Sequence, residues 1–66
     1  MTKLEFILAL NEKLASFPRA EVQQRLSFYC EMIEDRMEDG LSEEEAVAAV
    51  GDVARIAAEI AGELTP

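Results

Sequence analysis

The sequence predicts an all-α fold, a compact bundle of four helices at about residues 3–16, 18–39, 43–50 and 53–63, the third of them short. Three observations carry this. Apolar residues recur at steps of three and four along most of the 66-residue chain, the period of helices that turn one face to a core. Two S/T-x-x-E sequences, Thr2 to Glu5 and Ser42 to Glu45, have the spacing at which a hydroxyl and a carboxylate satisfy each other's backbone amides at a helix N-terminus. Pro18, Gly40 and Gly51 divide the chain between the periodic runs, and no strand alternation appears.

The first helix begins near Lys3 behind the Thr2–Glu5 box. Its main stripe is read as Leu4, Ile7, Leu8 and Leu14, with Phe6 and Leu10 widening the apolar arc. It is expected to end around Ser16, because Pro18 disfavours helical geometry at Phe17. Pro18 suits the first turn of the second helix, where its missing N–H costs nothing. That helix carries the stripe Val22, Leu26, Tyr29, Cys30, Ile33 and Met37, and Gly40 supplies the left-handed residue that ends it. Ser42 caps the third helix, with Leu41 placed for a hydrophobic staple and Val47 and Val50 facing inward. Gly51 stops it. Asp52 caps the fourth, whose stripe is Val53, Ile56, Ala57, Ile60 and Leu64, with Gly62, Thr65 and Pro66 ending it. The alanines of the last two helices favour helix and close packing.

Composition narrows the function. Fourteen acidic and six basic residues give a net charge of −8, which phosphate backbones and anionic membrane surfaces repel. Direct nucleic-acid binding and membrane contact within these residues are therefore not expected. Cys30 is the single cysteine and there is no histidine, so no internal disulfide forms and the commonest general base and metal ligand are missing. The N-terminus lacks the clean apolar run of a signal peptide, and no stretch approaches the roughly 18–20 apolar residues of a membrane span.

Four chemical motifs fail when tested. From Asp35 to Gly40 the sequence is like a calcium loop, but Met37 stands at loop position three and Ala46 at position twelve, where oxygen ligands are required. Ser42 lacks the Asp-Ser-Leu setting of an acyl-carrier serine and already has a role as a cap. Gly51 lies where a helix-turn-helix has its turn, yet the following helix offers only Arg55 against Glu59 and Glu63, too little for base reading. Cys30 lies on a core stripe with nothing to activate it. The expectation is no enzyme, no cofactor and no metal.

Phe6 and Leu10 on the first helix, and Phe28 and Met32 on the second, lie beyond the main stripes. Either another chain covers them or a wide core, with helices packed at several angles, absorbs them; scattered exposed apolars are normal and only contiguous patches are informative. These four are the candidate partner contacts. A free-standing structural domain that homodimerises is the alternative, and a cryptic enzyme or ligand carrier is a third reading that the absence of histidine and of any nucleophile–base pair opposes.

The order of signals resembles the HAAS domain family. The resemblance lies in the opening Met1-Thr2-Lys3-Leu4-Glu5-Phe6, in Leu10 and Leu14, in Phe17-Pro18 where Leu-Pro is common, and most specifically in Phe28-Tyr29-Cys30-Glu31-Met32-Ile33-Glu34-Asp35 running to Glu38-Asp39-Gly40. It continues through Leu41-Ser42-Glu43-Glu44-Glu45-Ala46 and Gly51-Asp52 to Ile56-Ala57 and Ile60, and so covers essentially the whole chain. Phe28, Cys30 and Val53 depart from the residues usual in the family, which bears on a partner surface and not on the fold. The resemblance implies a single helical domain at the N-terminus of a longer bacterial membrane protein. It implies a cytoplasmic domain tethered to the inner face of the cell membrane by a span further along. It also implies a signalling role, with a functional link to a PadR-like regulator, and assigns no activity.

Overall fold

The computed structural model describes residues 1–64. Among them four helices form: α1 (Lys3–Lys13), α2 (Arg19–Glu38), α3 (Glu43–Val50) and α4 (Val53–Leu64), with no strand. The all-α bundle and its short third helix are as expected. The molecule measures 38 × 18 × 17 Å, and its longest helix, α2, has 20 residues, which span about 30 Å at the helical rise.

Both capping boxes form. The Thr2 hydroxyl accepts from the Glu5 amide at 3.1 Å while the Thr2 amide donates to Glu5 Oε1 at 2.8 Å. Ser42 and Glu45 repeat the exchange at 3.2 and 2.9 Å. At eight residues, α3 is shorter than the roughly 12–15 residues an isolated helix needs, so it depends on this cap and on packing. Thr2→Ala and Ser42→Ala should each cost about 1 kcal/mol, read as a lower urea midpoint.

The boxes also make stability depend on pH. The amide of Thr2, then its hydroxyl, holds the Glu5 carboxyl below its ordinary value of 4.5, and Ser42 does the same for Glu45. A carboxyl lowered on folding stabilises fully above its unfolded value and loses that contribution as pH falls through the folded one. Acid should therefore destabilise the domain below about pH 4.5. Melting curves of Glu5→Gln and Glu45→Gln should be less pH-dependent over that window than those of the parent.

Gly40 ends α2 at φ 106°. The Leu41 amide reaches Arg36 O at 3.2 Å and the Gly40 amide reaches Met37 O at 3.1 Å, the paired bonds of a Schellman ending, and Leu41 folds back against the core. Asp52 caps α4, its Oδ2 accepting from the Arg55 amide at 3.1 Å.

Three boundaries differ from expectation. α1 ends at Lys13, not Ser16: the Leu14 amide is shared between Leu10 O and Asn11 O, and Phe17 then bonds Leu14 O. Those tighter bonds bring the chain round before Pro18. Pro18 itself, at ψ 132°, is the cap residue of α2 rather than its first helical residue, and its carbonyl accepts from Val22. Gly62 lies inside α4, which runs to Leu64; Thr65 and Pro66, the other expected stops, lie outside the described residues.

The core shows why α1 matters. α1 packs against α2, α3 and α4, and α2 also packs against α3. With three neighbours α1 must bury its bulkiest residues, and Phe6, Leu10 and Leu14 are each 0 % exposed. They meet Val22 and Ile33 of α2, Ala46 and Val47 of α3, and Val53, Ile56, Ala57 and Ile60 of α4 in one cluster. The expected stripe of α1 is therefore corrected. Leu4 and Leu8 face solvent and Ile7 lies at the edge, whereas Phe6 and Leu10 lead the inward face beside Leu14.

Candidate functional site

Phe6 and Leu10 are withdrawn as partner contacts, because a residue closed off by three neighbouring helices presents nothing to another chain. Phe28 and Met32 lie elsewhere. Phe28 is 55 % exposed and Met32, one turn on, is half-buried. The Phe28 ring stands edge-on to Tyr29, centroids 5.2 Å apart at 78°, and Tyr29 leans on Phe6 at 6.4 Å. Edge-to-face pairs of this kind are favourable, so Phe28 projects into solvent while linked through Tyr29 to the core.

Charges border it on both sides. Arg25, three residues before Phe28, pairs with Glu63 of α4. The Arg36 guanidinium donates to Met32 O at 3.4 Å. Glu31 and Asp35 are exposed on the outer side of the ridge. The surface thus has an aromatic anchor, a flexible thioether beside it, and charges of both signs at its rim.

A second apolar face exists on α1, where Leu4 is 65 %, Leu8 57 % and the preceding Met1 53 % exposed. The two faces do not merge. Arg19 and Glu34 of α2 reach Asn11 and Lys3 of α1, which marks the flank of α2 that meets α1. Phe28 is nine residues from Arg19, half a revolution round the helix, and looks away from that seam. The Lys3–Glu34 contact is an ion pair at 2.8 Å, and with Glu34 beside it the Lys3 ammonium is raised above its usual value.

Met1, Val47, Ala48 and Val53, with Glu44 and Asp52, line an open groove of about 210 Å³. The Met1 ammonium lies 3.7 Å from the Glu44 carboxylate. Cys30 is a free thiol, half-buried rather than fully inside. Asp35–Glu38 are helical, so the stretch like a calcium loop is not a loop. Among the described residues no buried side chain is polar and no three potential metal ligands cluster.

Sequence reasoning missed the outward leucines and the groove. Phe6, Leu10 and Leu14 follow one another at steps of four, a row that signalled the inward face, but Leu4 and Leu8 share that spacing and hid it.

Comparison with curated proteins and with solved structures finds no match. Among protein families, the model described as HAAS matches residues 5–59. The matched span takes in the inward row of α1, all of α2 with its Phe28–Met32 ridge, α3, and most of α4. The chain belongs to the HAAS family.

Proposed function

We propose that this HAAS domain is a non-catalytic protein-interaction and signalling module, the cytoplasmic N-terminal domain of a bacterial membrane protein. The observation that carries the reading is Phe28, a large aromatic left 55 % exposed beside Met32 and packed edge-on to Tyr29. Aromatic and methionine side chains are enriched where partners dock, and aromatics are the frequent anchors of binding energy. Full burial of a side chain of this size contributes roughly 1.5–3 kcal/mol before association costs, and Phe28 and Met32, already partly covered, each contribute less than that. The charged rim then sets orientation.

No helix among the described residues is long and apolar enough to cross a membrane, and in this reading the anchor belongs to a further part of the protein. Membrane attachment and the link to a PadR-like regulator rest on the family resemblance alone.

The test is a photocrosslinking residue substituted at Phe28 in the native protein, in its own cells, followed by membrane fractionation. The expected result is a crosslink to a regulatory protein, with the native protein in the membrane fraction and the crosslink lost when Met32 is also changed to Asp. A crosslink only to a second copy supports the homodimer instead, and absence of any crosslink removes the interaction site from Phe28.

A further inference from the structure

We infer that the outer face of α1 is a second docking surface and that its occupant is a basic amphipathic helix of another protein. Leu4 and Leu8, four residues apart on α1, are more exposed than Phe28. Leu8 is two residues from both Phe6 and Leu10, about 160° round the helix from the buried row. The face is therefore turned away from the core and cannot be absorbed by a tighter packing of the same four helices. Met1, exposed just before α1, walls the groove beside Val47 and Val53. The apolar track thus leads from Leu8 to a recess that accepts a side chain. A row of this spacing matches the apolar stripe of a second helix laid along it.

Charge selects the occupant. Glu5 and Glu12 are exposed on α1 near the two leucines, and Glu44 and Asp52 are among the residues that line the groove. Of the nearby cations Lys3 pairs with Glu34 and Arg19 donates to the Asn11 side chain, while Lys13 is exposed one residue after Glu12, about 140° round the helix from Leu8. The track thus has carboxylates along one edge and at its end. Glu44 is paired with the Met1 ammonium at 3.7 Å, a contact that a lysine or arginine of the partner would replace. A second copy of this chain does not fit, since each carries a net charge of −8 and pairing would set the glutamate edges of two copies close together. The partner is a helix with apolar residues at i, i+4 and i+7 and lysines or arginines at their flanks.

The surface is separate from Phe28, so the two readings fail separately. The probe is a synthetic helical peptide with leucines at i, i+4 and i+7 and lysine on both flanks, titrated into isotope-labelled domain and followed by NMR. Shifts are expected at Leu4, Glu5, Leu8 and Glu12 and around Val47 to Val53. Leu8→Glu should weaken binding at least about tenfold, equal to about 1.4 kcal/mol, while Phe28→Asp leaves it unchanged. A peptide of the same composition with its stripe scrambled, or with glutamate replacing lysine, should bind at least about tenfold more weakly. The inference is overturned if the scrambled peptide binds equally, if the shifts fall on Phe28 and Met32, or if no shift occurs. It is also overturned if sedimentation finds a dimer that Leu8→Glu dissolves. Unfolding of Leu8→Glu, monitored by circular dichroism, would contradict the outward placement of Leu8 and overturn it as well.

Discussion

Replacing Phe6 with alanine should take the domain from mostly folded to mostly unfolded at room temperature. Phe6 is 0 % exposed on a helix that packs against all three others, and its ring lies 6.4 Å from that of Tyr29. Truncating a buried phenylalanine costs about 3–5 kcal/mol, the lost transfer energy plus the cavity left behind. A single core in a chain of this size supplies only about 3–5 kcal/mol in total, so one substitution consumes it. Alanine is the best helix former, so the effect is not one of helix propensity. Leu8→Ala on the same helix also truncates a large apolar side chain, but at an outward site, and surface changes of that kind stay within about 0.5 kcal/mol. Urea titration of both variants separates the two orientations of α1. A larger loss for Leu8→Ala would mean that α1 turns its other face inward.

Gly51→Ala and Gly62→Ala should shift stability in opposite directions. Gly51 joins α3 to α4 at φ 126° and ψ −173°, a region that is essentially glycine's alone and costs another residue about 1–3 kcal/mol. An added Cβ would also meet Arg55 Nη2 at 2.5 Å and Ile56 Cδ1 at 3.5 Å. The guanidinium is the end of an exposed chain and can swing away, so the backbone conformation sets the loss. Gly62 has open space around its Cα, with nothing within 4 Å of an added Cβ, and lies within α4. Alanine there should stabilise by about 0.5–1 kcal/mol. Each kcal/mol shifts the melting temperature of a domain this size by about 4–8 °C, so scanning calorimetry resolves both signs. Destabilisation by Gly62→Ala would restore it as the helix stop that the sequence pattern suggests.

Much of the fold was legible because its signals are local. A capping box needs four consecutive residues, and both formed between the predicted partners. The endings at Gly40 and Gly51 rest on one residue's backbone freedom. The inward faces of α2 and α4 were readable in outline because polar residues occupy their opposite sides, so Val22 and Ile33, and Val53, Ile56, Ala57 and Ile60, had one way to point. The end of α1 was not legible, because nothing in its last turn marks where its hydrogen bonds tighten. Gly62 misled for a related reason: a glycine near a helix end is tolerated inside the helix as well as beyond it.

The candidate surface divided along the same line. Phe28 and Met32 were found as apolar residues off a well-defined stripe. On α1 the run Leu4-Glu5-Phe6-Ile7-Leu8-Ala9-Leu10 is apolar nearly all round, so periodicity had no polar side to set against the core. The choice between Phe6 and Leu8 as the inward residue then depended on which sides α2, α3 and α4 occupy.

By itself the sequence determined the helix count, the caps, the breaks and the acidic surface, all of which arise from contacts within a few residues or from composition. Only the tertiary structure decided which face of α1 is core and which is left in solvent. That choice is made by three helices distant in sequence filling a common volume around Phe6 and Leu10, and no local pattern encodes where they sit.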